Sequence, residues 1–162
     1  MKKLSVTHVI DCDVDTYWKV FFDAEYNKKL YLEGLSFKQF EILEQSETKR
    51  RMRGVPKMNV PGPVAKLLGD SFGYEEQGSF EKDTNTFRWK MIPNTMTDKL
   101  MTSGFTKIEA AGDGKVRRVN EATIEAKVFG VGGMLESTAE KEIRDSWEKE
   151  AAFMNKWVKE KK

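Results

Sequence analysis

From Leu4 to Ile10 the side chains alternate, with Leu4, Val6, His8 and Ile10 on one side and Ser5, Thr7 and Val9 on the other, a period of two that predicts a strand. The period then lengthens. Asp13 offers an N-cap ahead of Val14, Tyr17, Trp18 and Phe21 at helical spacing, and Asp23 offers a second ahead of Tyr26 and Leu30, with Gly34 as the stop. Period two returns at Leu35. "LSFKQFEILEQ" and "TKRRMRG" predict a hairpin turning at Ser46 and Glu47, with Met52 near Ile42 and Arg50 near Glu44. "YEEQGSFEKDTNTFRWKMI" predicts a second, in which a two-residue Asp83-Thr84 turn puts Tyr74, Glu76, Gly78 and Phe80 on one face with Phe87, Trp89 and Met91. A third turns at Gly112-Asp113-Gly114. Its common face carries Leu100, Thr102, Gly104, Thr106 and Ile108 opposite Arg118, Asn120, Ala122, Ile124 and Ala126. After "GVGG" the spacing changes for good: Leu135, Ala139, Ile143, Trp147, Ala151, Met154 and Val158 recur every three or four residues. Glu136, Glu140, Lys141, Arg144, Asp145, Lys149 and Lys156 fill the other faces, the pattern of one long amphipathic helix.

This order predicts an α+β fold. Six strands in short hairpins make an antiparallel meander that the first strand joins, and a curved sheet of seven strands wrapped on the terminal helix buries the apolar stripe of both. A sheet curled around a helix that it does not touch everywhere leaves a hollow. Between the third and fourth strands, "GVPKMNVPGPVAKLLGDSFGY" holds three of the four prolines. Pro63 suits the first turn of a short helix that Gly69 stops, with Val64, Leu67 and Leu68 on one face. An apolar half-turn on a hinged loop is expected to act as a lid over the hollow; the competing reading is a plug of the core.

"KLSVTHVIDCDVDTYWKVFFDAEY" resembles the opening strand and first helix of the START-like, Bet v 1-like (SRPBCC) superfamily, whose architecture is the helix-grip fold. "VPKMNVPGPVAKLLGD", "VFGVGGMLE" and "EKEAAFMNKW" resemble a bacterial branch of it known only as a domain of unknown function. The resemblance runs over nearly the whole chain and rests on structural rather than catalytic motifs. It implies a lid segment at a cavity mouth, and it brings in aromatase/cyclases as related enzymes. The proline usual after the first strand is absent; Asp13 and Val14 stand there.

At 162 residues the chain is read as a single domain, 1–162, large enough to bury a core. A net charge of +2 argues against a nucleic-acid partner, which calls for a clearly basic domain. One cysteine, Cys12, gives no internal disulfide, the N-terminus lacks a secretory apolar stretch, and no apolar run is long enough to span a membrane. A bacterial cytoplasmic protein, monomeric or a weak homodimer, is the expectation. One histidine and one cysteine assemble no ordinary metal cluster, and no dinucleotide fingerprint is present, so neither metal nor cofactor is expected. His8 has no G-x-S-x-G nucleophile to serve and reads as a core or pocket-wall residue. Alternation puts Lys49, Arg51 and Arg53 on an exposed strand face.

Candidate ligand-contacting residues fall on the inward faces. Phe80, Phe87, Trp89, Met91, Leu100 and Ile124 supply apolar wall from the sheet, Leu135 and Ile143 from the helix, and Leu67 and Leu68 from the lid. Met52, Met58, Met96, Met101 and Met134, near strand ends or loops, add pliable surface. Thr102, Thr106, Arg118 and Asn120 cluster across one hairpin and Glu76 faces them from its neighbour. An inward arginine either holds a carboxylate or phosphate head group or neutralises Glu76 or Glu150. Glu150 lies in the apolar stripe of the last helix, where a charge is paired or its pKa rises; Glu76 and Glu150, with Arg118, are the candidate acid–base groups, and a structural carboxylate is the competing role for Glu150.

These residues are read first as the binding site of a hydrophobic or amphipathic small molecule, lipid-like or polycyclic. The alternatives are a cyclase- or hydratase-type enzyme using Glu76, Glu150 and Arg118, and a protein-interaction module working through the outer sheet face.

Overall fold

A computed structural model describes residues 1–161. The chain runs β1 (Lys2–Ile10), α1 (Val14–Phe21), α2 (Ala24–Lys29) continuing into a wider π-type turn (Leu30–Gly34), β2 (Gln39–Gln45), β3 (Lys49–Val55), α3 (Gly62–Leu68), β4 (Tyr74–Glu81), β5 (Thr86–Pro93), β6 (Leu100–Gly112), β7 (Lys115–Ala126) and α4 (Gly132–Glu160). The strands form one antiparallel sheet in the order β1-β7-β6-β5-β4-β3-β2, so β1 closes onto the last strand. This is the α+β helix-grip architecture that the alternation predicts. Both short helices begin at the expected caps, Asp13 accepting from Thr16 N and Asp23 from Tyr26 N, each at 2.8 Å.

Two hairpin registers follow the period-two reading: Phe80 faces Phe87, and Thr106 faces Asn120. Three details differ from it. The β4–β5 connection is not a two-residue turn but a 3-10 turn at Lys82–Thr84, closed by Asn85 in the left-handed region at φ 49°. A bulge between Ile42 and Glu44 shifts β2 by one position, so Arg51 rather than Arg50 lies opposite Glu44. Met52 sits mid-strand and buried, not near a strand end.

The concave face of the sheet is built in rows across the strands. One row reads Ala122, Gly104, Trp89, Gly78, Arg50, from β7 to β3. The indole therefore lies between two glycines, and neither neighbour contributes a side chain to crowd it. A flanking row reads Asn120, Thr106, Phe87, Phe80, and another Ile124, Thr102, Met91, Glu76, Met52.

α4 lies across this face against two separate cores. Its C-terminal part, through Ala151, Met154 and Val158, joins Ile10, Tyr17, Trp18, Tyr26, Phe87 and Ile108. Asn155 ties that end to the edge strand, accepting from Asp11 N at 2.8 Å and donating to Val9 O at 3.2 Å. Further towards its start, Leu135 and Trp147 join Leu4, Leu100, Ala122 and Ile124, together with Val64 and Leu68 of α3. Glu136, assigned by spacing to an outer face, is buried, because the loop from β7 folds back tightly enough for its carboxylate to accept from Ala126 N at 2.9 Å.

Candidate functional site

Between the two cores the sheet and α4 separate. A cavity of about 400 Å³ lies there, floored by β3–β6, roofed by α4 from Leu135 to Glu150, and closed at one end by the segment from Pro56 to Phe72 that contains α3. Eight aromatic residues line it: Phe21, Tyr31, Phe37, Phe72, Tyr74, Phe87, Trp89 and Trp147. Exposed Lys57, Asn59, Lys141, Asp145 and Lys149 mark where it opens to the surface, between the β3–α3 connection and the flank of α4.

Most of the residues singled out by sequence are brought to this space. Leu68, Phe87, Trp89, Met91, Leu100, Thr102, Thr106, Leu135 and Ile143 line it, as do Glu76 and Glu150. The others lie outside the lining. Phe80 packs on Trp18 with ring centroids 4.5 Å apart, Ile124 is sealed in the second core, and Leu67 packs half-buried against that core. Asn120 accepts from Thr106 Oγ1 at 2.6 Å and is buried. Arg118 is held between β7 and α4: its Nη2 donates to Trp147 O at 2.8 Å, and its Nη1 stands 3.8 Å from Glu150 Oε1. Of the methionines, Met58 and Met91 reach the cavity, whereas Met101 and Met134 are largely exposed.

The arginine that does reach the cavity is Arg50, which the sequence reading left out. Its guanidinium carbon lies 4.2 Å from the Phe21 ring centre and 5.0 Å from that of Phe87, an arrangement favourable to a cation. Nη1 donates to Phe21 O at 2.8 Å and Nη2 meets Glu76 Oε1 at 3.4 Å. Glu76 thus pairs with Arg50, not Arg118. The signal was present: if Lys49, Arg51 and Arg53 point outward, Arg50 and Met52 point in.

Burial pushes the Glu150 carboxyl up to about 7; the attraction of Arg118 and Arg50 opposes this and the nearby Glu76 adds to it. Burial likewise drives the Tyr17 hydroxyl up to about 12, and the cavity tyrosines Tyr31 and Tyr74 well above the ordinary range. His8 lies outside the cavity, its Nδ1 3.4 Å from Arg118 Nη2 and its Nε2 3.2 Å from Glu148. Among the described residues no group of three His, Cys, Asp or Glu is placed to hold a metal, and no helix is long and apolar enough to cross a membrane.

A pH prediction follows from Glu150. Its folded pKa lies above the unfolded value, so the folded state holds the extra proton between about pH 4.5 and 7. The associated stabilisation is complete below that window and lost as pH rises through it, on the order of 3 kcal/mol in all. Glu150→Gln is expected to flatten the fall in urea midpoint between pH 5 and pH 8. An unchanged slope in the variant would contradict the assignment.

The curved sheet gripping a terminal helix around an aromatic-lined hollow is the START-like, Bet v 1-like fold. Within that class the chain belongs to the family described as "Protein of unknown function (DUF2505)", whose model matches residues 5–158. No curated protein matches the sequence. Among solved structures, the chain is similar to the Zhui aromatase/cyclase of Streptomyces sp. R1128 at 10% identity, covering 98% of this chain and 93% of that one, with a TM-score of 0.72. It is similar to norcoclaurine synthase of Thalictrum flavum in complex with dopamine and hydroxybenzaldehyde at 16% identity, covering 99% and 88%, with a TM-score of 0.66. A START superfamily protein of Mycobacterium smegmatis is 14% identical over 99% of both chains, with a TM-score of 0.62. At these identities the likeness concerns the fold.

Proposed function

We propose that the chain binds a hydrophobic or amphipathic small molecule, lipid-like or polycyclic, in the cavity between sheet and α4, with the α3 segment acting as the lid that admits it. The observation carrying this reading is the cavity itself. Its volume of about 400 Å³ falls in the range of small-molecule pockets, and aromatic and aliphatic side chains line it together with polar groups such as Arg50, Glu76, Thr102 and Thr106. Affinity would come from buried apolar area at roughly 25 cal/mol per Å². That other proteins of this fold include one crystallised with small aromatic molecules lends support.

The test uses the protein's own reporters, because Trp89 and Trp147 both line the space. Apolar fluorescent probes are expected to exchange energy with them, and native mass spectrometry of gently purified protein is expected to show a bound species. Ala139, on the roof, supplies the control. Ala139→Trp fills volume and is expected to cut probe affinity at least tenfold while the far-ultraviolet circular dichroism is unchanged. Undiminished binding by the folded variant would place the probe elsewhere and defeat the proposal.

A second reading, an enzyme of cyclase or hydratase type, is favoured by one observation: a carboxyl poised near pH 7 faces the hollow, where a proton donor or acceptor works best. Turnover lost in Glu150→Gln with ligand binding retained would establish it.

A further inference from the structure

One end of the cavity differs from the rest. Arg50 is 3% exposed and lines the space. A guanidinium presents five N–H donors. Arg50 gives one to Phe21 O and shares another, at 3.4 Å, with a single oxygen of Glu76, while its Nε meets no acceptor among the described residues. Arg118, nearby, is better supplied, with a bond to Trp147 O, a 3.4 Å contact with His8 Nδ1, a hydrogen bond with Tyr17 and a 3.8 Å approach to Glu150, but its Nε also meets no acceptor among the described residues. Both cations are permanent. Only two carboxylates oppose them, and one of these readily takes a proton. This end therefore holds more donors than acceptors, and the wall beyond it is apolar at Trp89, Leu100, Leu135 and Ile143.

We infer that the ligand is an amphipathic carboxylic acid whose carboxylate lodges against Arg50 while its apolar body lies between Trp89 and Trp147. The inference rests on the cavity being a ligand site. Arg50 in the lining disfavours an amine for the same reason that it favours an acid. A further anion can come close to Glu76 and Glu150 when Glu150 carries a proton, which turns that side chain from a competitor into a donor. The groups facing Glu150 are Arg118 from β7, Arg50 from β3, Glu76 and Tyr74 from β4, Tyr17 from α1, Tyr26 from α2 and Tyr31 from the turn that follows it. On its own helix Lys149 is exposed. The tyrosines stay neutral, so Glu150 is the cavity group set to titrate near neutrality. Uptake of the acid then draws a proton onto Glu150.

The experiment is calorimetric titration of two matched pairs, decanoate with decan-1-ol and anthracene-2-carboxylate with anthracene-2-methanol, at pH 6 and pH 8. Each acid is expected to bind at least tenfold more tightly than its alcohol at pH 6, and the preference is expected to shrink at pH 8. Glu150→Gln should keep the preference and remove its pH dependence. Arg50→Met should weaken the acids at least tenfold and the alcohols far less. Should that variant not fold, Glu76→Gln tests the same electrostatics with the opposite sign, tightening the acids alone. Alcohols binding as well as acids, or an acid preference indifferent to both substitutions, overturns the carboxylate assignment and leaves the cavity reading standing. Failure of all four compounds to bind defeats both.

Discussion

Gly104→Ala is expected to lose roughly 3–5 kcal/mol of stability, an effect in the diagnostic tail for single substitutions. A Cβ at this position would stand 1.9 Å from the carbonyl oxygen of Glu121 and 2.8 Å from the Trp89 ring. The first of these atoms is backbone. It withdraws only if β6 and β7 separate, and those strands pair from Leu100 to Gly112. At about 2–4 °C per kcal/mol for a chain of this size, the melting temperature should fall by about 6–20 °C. Gly78→Ala is the internal comparison. Its Cβ would meet Phe87 Cζ at 2.0 Å, but that atom is the tip of a ring that can swing, so the cost should be nearer the ~1–3 kcal/mol of ordinary overpacking. Thermal unfolding of both variants decides the matter. A Gly104→Ala protein melting within about 2 °C of the parent would refute the close approach of the strands.

Arg118→Met is expected to be comparably damaging, for an electrostatic reason. The guanidinium is buried, bonded to the Trp147 carbonyl and facing Glu150. Methionine fills much of the volume but leaves the carboxylate short of a cation, and breaking such a pair by removing one partner costs about 3–5 kcal/mol. Because Arg118 favours the ionised form of Glu150, the carboxyl should also titrate at still higher pH in the variant. The double variant Arg118→Met with Glu150→Gln should recover part of the loss, which identifies the shared interaction. Urea midpoints at pH 7 for the four proteins of the cycle give the answer, and strictly additive losses would show that the two groups do not communicate.

The strand registers were legible wherever alternation ran unbroken into a turn. Phe80 opposite Phe87 and Thr106 opposite Asn120 follow from counting back from Asp83-Thr84 and Gly112-Asp113-Gly114, because a side-chain period of two leaves one register that buries both faces. The count failed at β2–β3, where the bulge after Ile42 inserts a residue that no hydropathy pattern marks. Glu136 escaped for a related reason. Spacing alone assigns it to solvent, but the tight return at Gly130, in the left-handed region at φ 81°, folds the β7 backbone over that helix face. At the site, the aromatic and aliphatic walls were legible as inward positions. The partners of the charges were not. Arg118 and Arg50 both sit on inward faces, and only the depth of each strand relative to α4 decides that one is spent on the helix backbone while the other borders the hollow.

α4 is seated at both ends. Beyond Glu150 it is clamped by Tyr17, Trp18 and Tyr26 and tied through Asn155 to the first strand; before Glu150 it rests on the second core through Leu135 and Trp147, with the hollow beside it between them. Amides of the turns that border the hollow are expected to open at lower energy than those packed on the aromatic base. Widening the chamber for a bulkier guest therefore requires no unfolding of the aromatic base, and the parts of the molecule that yield are separate from the parts that hold it together.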